Sequence, residues 1–177
     1  MKKLILLIGV FIIAFSSCVS NADQTVNAQL QQLIEKERVK ETVNRLFINT
    51  DNRDWPKVKS LFASQVLFDM TSMTGGESST LTSQEIVDGW DKGLKALKSI
   101  HHQAGNYIIN MDPEGAEVFC YGIALHYLPN KTQQNTRTFV GSYNFHLKKE
   151  GDLWLIDQFK YNLKYIDGNP DLEGSAQ

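Results

Sequence analysis

AEVFCYGIALHYL (116–128) and TRTFVGSYNFHLK (136–148) decide how this chain is read. Both are rich in β-branched and aromatic residues and long enough for extended strands. IHHQAGNYIIN (100–110) before them and LWLIDQFKYNLKY (153–165) after them have the same character. The breaks between these runs are short and polar: Asp112-Pro113-Glu114-Gly115, Pro129-Asn130-Lys131 and Lys149-Glu150-Gly151-Asp152. Breaks of that length join antiparallel neighbours, because a parallel pair needs a long crossover.

Upstream, the hydrophobic period becomes helical. Leu30, Leu33, Ile34, Val39, Val43, Leu46 and Phe47 predict an amphipathic helix ending near Thr50. After the turn Asp51-Asn52-Arg53, Asp54 is a ready N-cap, and Pro56 sits in the first turn of a second helix. Val58, Leu61 and Phe62 form that helix's buried side. Residues 65–71, QVLFDMT, read as a strand, and Gly75-Gly76 with its Ser/Thr cluster as a loop. Thr82-Ser83-Gln84-Glu85 is a capping box that opens a third helix, with Ile86, Trp90, Leu94 and Leu97 inward. The layout is α+β: three N-terminal helices packed on a curved, mainly antiparallel sheet. Such a sheet leaves a conical hollow suited to a small ligand.

The N-terminus has a different logic. Lys2-Lys3, the apolar run from Leu4 to Ala14 and the small residues before Cys18 describe a cleaved export signal. A cysteine at the break is similar to the bacterial lipoprotein box, in which the thiol carries diacylglycerol. The expected division is therefore a lipoprotein signal peptide over 1–17, a tether over 18–28, the folded domain over 29–166 and a flexible tail over 167–177. The expected location is the bacterial cell envelope, anchored by lipid on the exported side of a membrane.

The formal charge is −2, and becomes −4 once Lys2 and Lys3 leave with the signal. A mildly acidic domain without a basic cluster argues against nucleic acid. It also leaves the lipid on Cys18 as the membrane link. With Cys18 acylated only Cys120 remains, so no internal disulfide can form.

Several short signposts occur in a recognisable order: Asp51-Asn52-Arg53-Asp54-Trp55, Leu67-Phe68-Asp69, His101-His102-Gln103-Ala104-Gly105-Asn106, Leu125-His126-Tyr127-Leu128-Pro129, Gly141-Ser142-Tyr143 and Gly151-Asp152-Leu153-Trp154. Over Leu30 to about Tyr165 the chain resembles a SnoaL-like member of the nuclear-transport-factor-2-like superfamily, in the branch that includes scytalone dehydratase. The resemblance implies the cystatin-like cone. It places an acid–base pair on Asp51 and His102, and the substrate-orienting hydroxyl and amide on Ser142 and Asn144. Two tyrosines of the dehydratase fall on Thr50 and Met70, and its second histidine on Gly122. His126 lies on the same strand face as Gly122, about 13 Å further along. Met70, Trp90 and His126 complete the expected substrate-binding set.

Some alternatives stay open at the level of sequence. Strand alternation sends one of His101 and His102 inward; Ile100, Ala104 and Ile108 share the face of His102. Asp51 could equally serve only to cap the helix-to-helix turn. In 116–128 the small residues Cys120, Gly122 and Ala124 oppose a face of Phe119, Tyr121, Ile123, Leu125 and Tyr127. In 136–148, Ser142 and Asn144 oppose Phe139, Tyr143, Phe145 and Leu147. If the small and polar faces line the hollow, both bulky faces form one outer surface that a homodimer would cover. The opposite assignment puts the aromatics inside and leaves Ser142 and Asn144 wet.

No metal is expected, because adjacent strand histidines diverge. Neither is another cofactor: no glycine-rich phosphate loop occurs. Ser142 and Cys120 lack the partners of a nucleophilic triad. The functional expectation is a small-molecule pocket for an apolar or hydroxy-carbonyl compound, acting as a cofactor-free lyase or isomerase. The alternative is a non-catalytic, lipid-anchored binding or structural dimer domain.

Overall fold

The computed structural model describes the backbone of residues 2–176 and the side chains of residues 23–175. The expected signal peptide and Cys18 lie outside the residues whose side chains are described. The chain divides into two compact units, Met1–Glu37 and Arg38–Gln177, with helix α1 (Lys2–Asp51) running from the first into the second. In the first unit Val26, Leu30 and Leu33 stay largely exposed. Leu30 and Leu33 therefore do not belong to the buried stripe expected of them. Periodicity reports an apolar face; it does not report whether anything covers it. Among the described residues no helix is long and apolar enough to cross a membrane.

In the second unit the stripe is real: Val39, Val43 and Leu46 are wholly buried. Helix α2 (Trp55–Ser60) starts where Asp54 accepts the backbone N–H of Lys57, and Pro56 stands in its first turn. It is shorter than its apolar pattern suggested. Phe62 belongs instead to strand β1 (Phe62–Asp69), which the sequence placed three residues later. A single turn, α3 (Thr71–Thr74), precedes β2 (Ser79–Thr82), a strand hidden in the Ser/Thr cluster expected as loop. Helix α4 (Ser83–Leu94) opens on the complete Thr82–Glu85 capping box.

The long strands follow as expected: β3 (Ser99–Met111), β4 (Ala116–Tyr127), β5 (Thr136–Glu150) and β6 (Leu153–Gly168). The sheet order is β2-β1-β6-β5-β4-β3. Every neighbouring pair is antiparallel except β1 with β6, which the long intervening chain allows to run parallel.

Register explains how the interior is filled. Cys120 stands opposite Tyr143, Gly122 opposite Gly141 and Ala124 opposite Phe139. Directly paired residues share a sheet face, so the small side of β4 and the bulky side of β5 both point inward. Large against small is the arrangement that lets facing side chains pack closely on the concave side of a sheet. The expected pairing of two small faces is therefore corrected. Phe119, Tyr121, Ile123, Leu125 and Tyr127 do lie outside, but Tyr143, Phe145 and Leu147 are buried.

The tail is also corrected. Leu172 is wholly buried with Leu97 and Ile100. The backbone N–H of Asn169 donates to Thr136, and Arg137 makes two hydrogen bonds to Glu173. One apolar residue in a polar, glycine-containing segment leaves no periodicity to read, yet it anchors residues 168–175 to the domain.

Candidate active site

The end of α1 sets the first half of the site. Phe47 and Asp51, one turn apart, share a helix face. The Asp51 carboxylate accepts the backbone N–H of His102 at 3.1 and 2.9 Å, and lies 2.6 Å from its ring Nδ1. Arg53 adopts a left-handed backbone in the following turn, and its guanidinium donates to the carbonyls of Leu94 and Leu97. Asp51 thus stands where α1 stops, with the stop tied to the end of α4.

Alternation along β3 then separates the two histidines. The His101 side chain is 67% exposed and that of His102 only 14%. The His102 ring stacks on Phe47, with centroids 5.4 Å apart. A carboxylate can only accept, so Nδ1 carries the proton and Nε2 is the free, basic nitrogen.

His102 lines a cavity of about 290 Å³, at the small end for ligand pockets. The walls are apolar and aromatic: Trp90, Phe139, Tyr143 and Phe159, with Met70 and Met73 at α3. Trp90 packs edge-on against Phe62 and Phe159, forming a wall and not a plug. Thr50 lines the cavity too, but its hydroxyl donates to the Leu46 carbonyl.

A second polar group lies beside the first, on the neighbouring strand β4. His126 is only 8% exposed, and Arg137 lies beside it, with Nη2 3.4 Å from Nδ1 of the imidazole. Burial first, and the Arg137 charge next, push the His126 pKa down to about 4. Glu173 resists burial through its hydrogen bonds from Arg137, and its carboxyl stays below the usual range. The Tyr161 hydroxyl is buried without a partner among the described residues, and burial pushes its pKa up to about 12. Burial likewise raises the Tyr143 phenol above its ordinary value. Both phenols are neutral at physiological pH.

The low pKa of His126 has a consequence for stability. An unfolded histidine titrates near 6.5, so below that pH the unfolded chain takes a proton that folded His126 refuses. Stability from this residue is complete above about pH 6.5 and is lost as pH falls towards about 4, by up to about 3 kcal/mol. Urea unfolding of the wild type and His126→Asn across that window should show a weaker pH dependence in the variant.

Ser142 and Asn144 are not in the cavity. They share the outer face with Tyr121 and Phe119, and Asn144 is exposed, accepting from the Asn162 amide at 2.9 Å. The expected substrate-orienting pair is thus on the wrong side of the sheet, for the packing reason already given. Gly122 has its own explanation. A Cβ there would collide with the Tyr143 ring, which is wedged 4.9 Å from both Phe47 and Tyr161. Gly122→Ala should lower stability by about 1–3 kcal/mol, as over-packing does, and displace Tyr143, measurable by denaturant unfolding and ligand binding together.

Sequence reasoning placed Asp51, His102, Met70, Trp90 and His126 around one pocket, and the cavity holds the last four with Asp51 bonded to His102. It missed Arg137, Tyr161 and Glu173. For Arg137 the signal existed: it shares strand parity with Phe139 and Tyr143. Among the described residues no group of three His, Cys, Asp or Glu side chains could hold a metal.

The helices and the curved sheet thus close round a cavity bounded by a carboxylate-supported imidazole. The chain belongs to the SnoaL-like domain family, whose sequence profile matches residues 31–160. Its fold is the nuclear-transport-factor-2-like cone. It is similar to the Kfla4162 protein of Kribbella flavida, with 18% identity, TM-score 0.76, and 81% of this chain and 99% of that one covered. A candidate scytalone dehydratase from Novosphingobium aromaticivorans shares 13% identity at TM-score 0.65, covering 78% and 89%. The hexachlorocyclohexane dehydrochlorinase LinA-type3 of Novosphingobium barchaimii shares 11% at TM-score 0.65, covering 81% and 95%. At these identities the likeness is one of fold. No curated protein matches the chain.

Proposed function

We propose that this protein is a cofactor-free lyase or isomerase that moves protons on a small, largely apolar carbonyl or hydroxy-carbonyl compound. The observation that carries this reading is the 2.6 Å contact between Asp51 and Nδ1 of His102, with the ring on the cavity wall. Nε2 of His102 removes a proton from the carbon next to a carbonyl, and the bonding pair moves towards the oxygen as an enolate. Asp51 stabilises the imidazolium that forms. In an elimination, the imidazolium returns its proton to a β-hydroxyl, whose C–O bond breaks to release water as C=C forms. In an isomerisation it returns the proton to another carbon. Aromatic walls exclude water and strengthen these charges.

The test uses 2-tetralone, a neutral ring ketone with acidic α-protons, in deuterium oxide. Wild-type protein should speed deuterium uptake, read by mass spectrometry, and His102→Ala should abolish the effect while still binding the ketone. Binding without any acceleration by the wild type would leave the alternative, a non-catalytic binding domain. That reading is favoured by Thr50, Met70 and Gly122, which stand where the dehydratase has two tyrosines and a histidine.

Two further features belong to the same proposal. The signal pattern ending at Cys18 supports a lipid anchor in the bacterial envelope; Cys18→Ala should lose incorporated radiolabelled palmitate. The exposed outer face, with Tyr121, Ile123, Leu125 and Tyr127 of β4 beside Ile108 and Tyr165, suits a homodimer packed sheet to sheet. Tyr121→Glu with Leu125→Glu should shift the mass measured by light scattering to that of a monomer.

A further inference from the structure

We infer that His126 is a neutral hydrogen-bond donor held in one tautomer by the Arg137–Glu173 pair, and that it selects a neutral ligand by a single acceptor oxygen. This deepens the preceding proposal by naming the group on the ligand that the cavity recognises.

The argument begins with what each atom can do. An arginine guanidinium only donates. With Arg137 Nη2 3.4 Å from Nδ1 of His126, Nδ1 must accept. A neutral imidazole has one proton, so it resides on Nε2. Arg137 holds its place because Glu173 accepts from Nη1 at 2.8 Å and from Nη2 at 2.6 Å, and its guanidinium lies over the Phe139 ring. The low pKa of His126 agrees with a ring that stays neutral. Nε2–H has no protein acceptor among the described residues, although the side chain is more than nine-tenths buried and lines the cavity.

Position then says what the donor is for. The β3–β4 register pairs Ile100 with His126 and His102 with Ala124. The two histidines are diagonal neighbours, a spacing of about 7–8 Å. A ring-sized ligand can offer an oxygen to Nε2–H of His126 and a carbon to Nε2 of His102. The two imidazoles carry opposite roles because their Nδ1 partners are opposite: Asp51 accepts, Arg137 donates. Charge decides the ligand class. Arg137 is already matched by Glu173, and Asp51 adds a negative charge, so the cavity favours a neutral ketone over a carboxylate.

Two measurements on the full-length chain test this. Long-range ¹H–¹⁵N correlation of the imidazoles at pH 7 should show His126 as the Nε2–H tautomer, and Glu173→Gln should mix the tautomers. A charged ring, or Nδ1–H in the wild type, would overturn the proposal. The second measurement compares binding of 2-tetralone, tetralin and tetralin-2-carboxylate. The ketone should bind about tenfold tighter than the hydrocarbon, the worth of one hydrogen bond, and tighter than the acid. His126→Phe should remove that preference, bringing the ketone and tetralin to equal affinity in the variant. A ketone bound no better than tetralin, or an acid bound best, would overturn the ligand class. Failure of deuterium exchange with the ketone preference intact would sink the acid–base reading alone.

Discussion

Asp51→Asn is expected to reduce deuterium exchange into 2-tetralone by about 10²–10⁴-fold, the usual scale for a lost acid–base group. The amide can keep its carbonyl oxygen on the His102 backbone N–H. Its NH₂ group, however, would face Nδ1 of His102 in place of an acceptor. The ring must then accept at Nδ1 and carry its proton on Nε2, which removes the base from the cavity. The same carboxylate ties β3 to the end of α1 through two contacts to one backbone N–H. A stability loss of about 1–3 kcal/mol should accompany the loss of exchange. Ligand binding separates the effects, since tetralin needs no hydrogen bond from this pair. Exchange within a few-fold of the wild type would show that the carboxylate only holds the turn.

Phe145→Ala is expected to be the most damaging single truncation for stability, at about 3–5 kcal/mol. Phe145 is almost wholly buried and stacks on Tyr143, with ring centroids 5.7 Å apart. It also meets the edges of Phe47 and Phe159. Those neighbours come from α1, β5 and β6, so the void left by the ring cannot close by movement of one element. Phe47 and Tyr143 are cavity walls, so ligand affinity should fall as well. Denaturant unfolding should show a lower midpoint with the slope unchanged. A loss under about 1 kcal/mol would mean that this cluster repacks freely.

Much of the architecture was legible because the relevant forces are local. The Asp54 cap, the Thr82–Glu85 box and the four long strands depend on near neighbours in sequence, and all stand where the residues indicate. The boundary between α2 and β1 was less clear, since Leu61 and Phe62 suit either period. The strand Ser79–Thr82 carries no hydrophobic alternation at all. It exists because β1 offers an edge to pair with.

The site was legible in its chemistry and not in its orientation. His102 could be preferred over His101 from Ile100 and Ala104 on its strand face, although the register shift between Gly105 and Ile108 turns the third expected member, Ile108, outward. Ser142 and Asn144 could not be placed, because alternation says only that they oppose Phe139, Tyr143 and Phe145. Which side faces the cavity depends on what β4 presents across the register. A small face on β4 demanded a large one on β5, and that condition joins residues far apart in the chain.

By itself, then, the sequence determined the order of the main helices and the four long strands, the caps at Asp54 and Thr82, and the family to which residues 31–160 belong. Those properties follow from hydrogen-bonding groups and apolar periods within a few residues of one another. Only the tertiary structure decided which strand faces turn inward, that Leu172 and Glu173 close back onto the domain, and that Arg137 backs His126. Each is a contact between distant segments, and space-filling with charge pairing selects it only once the sheet has curved.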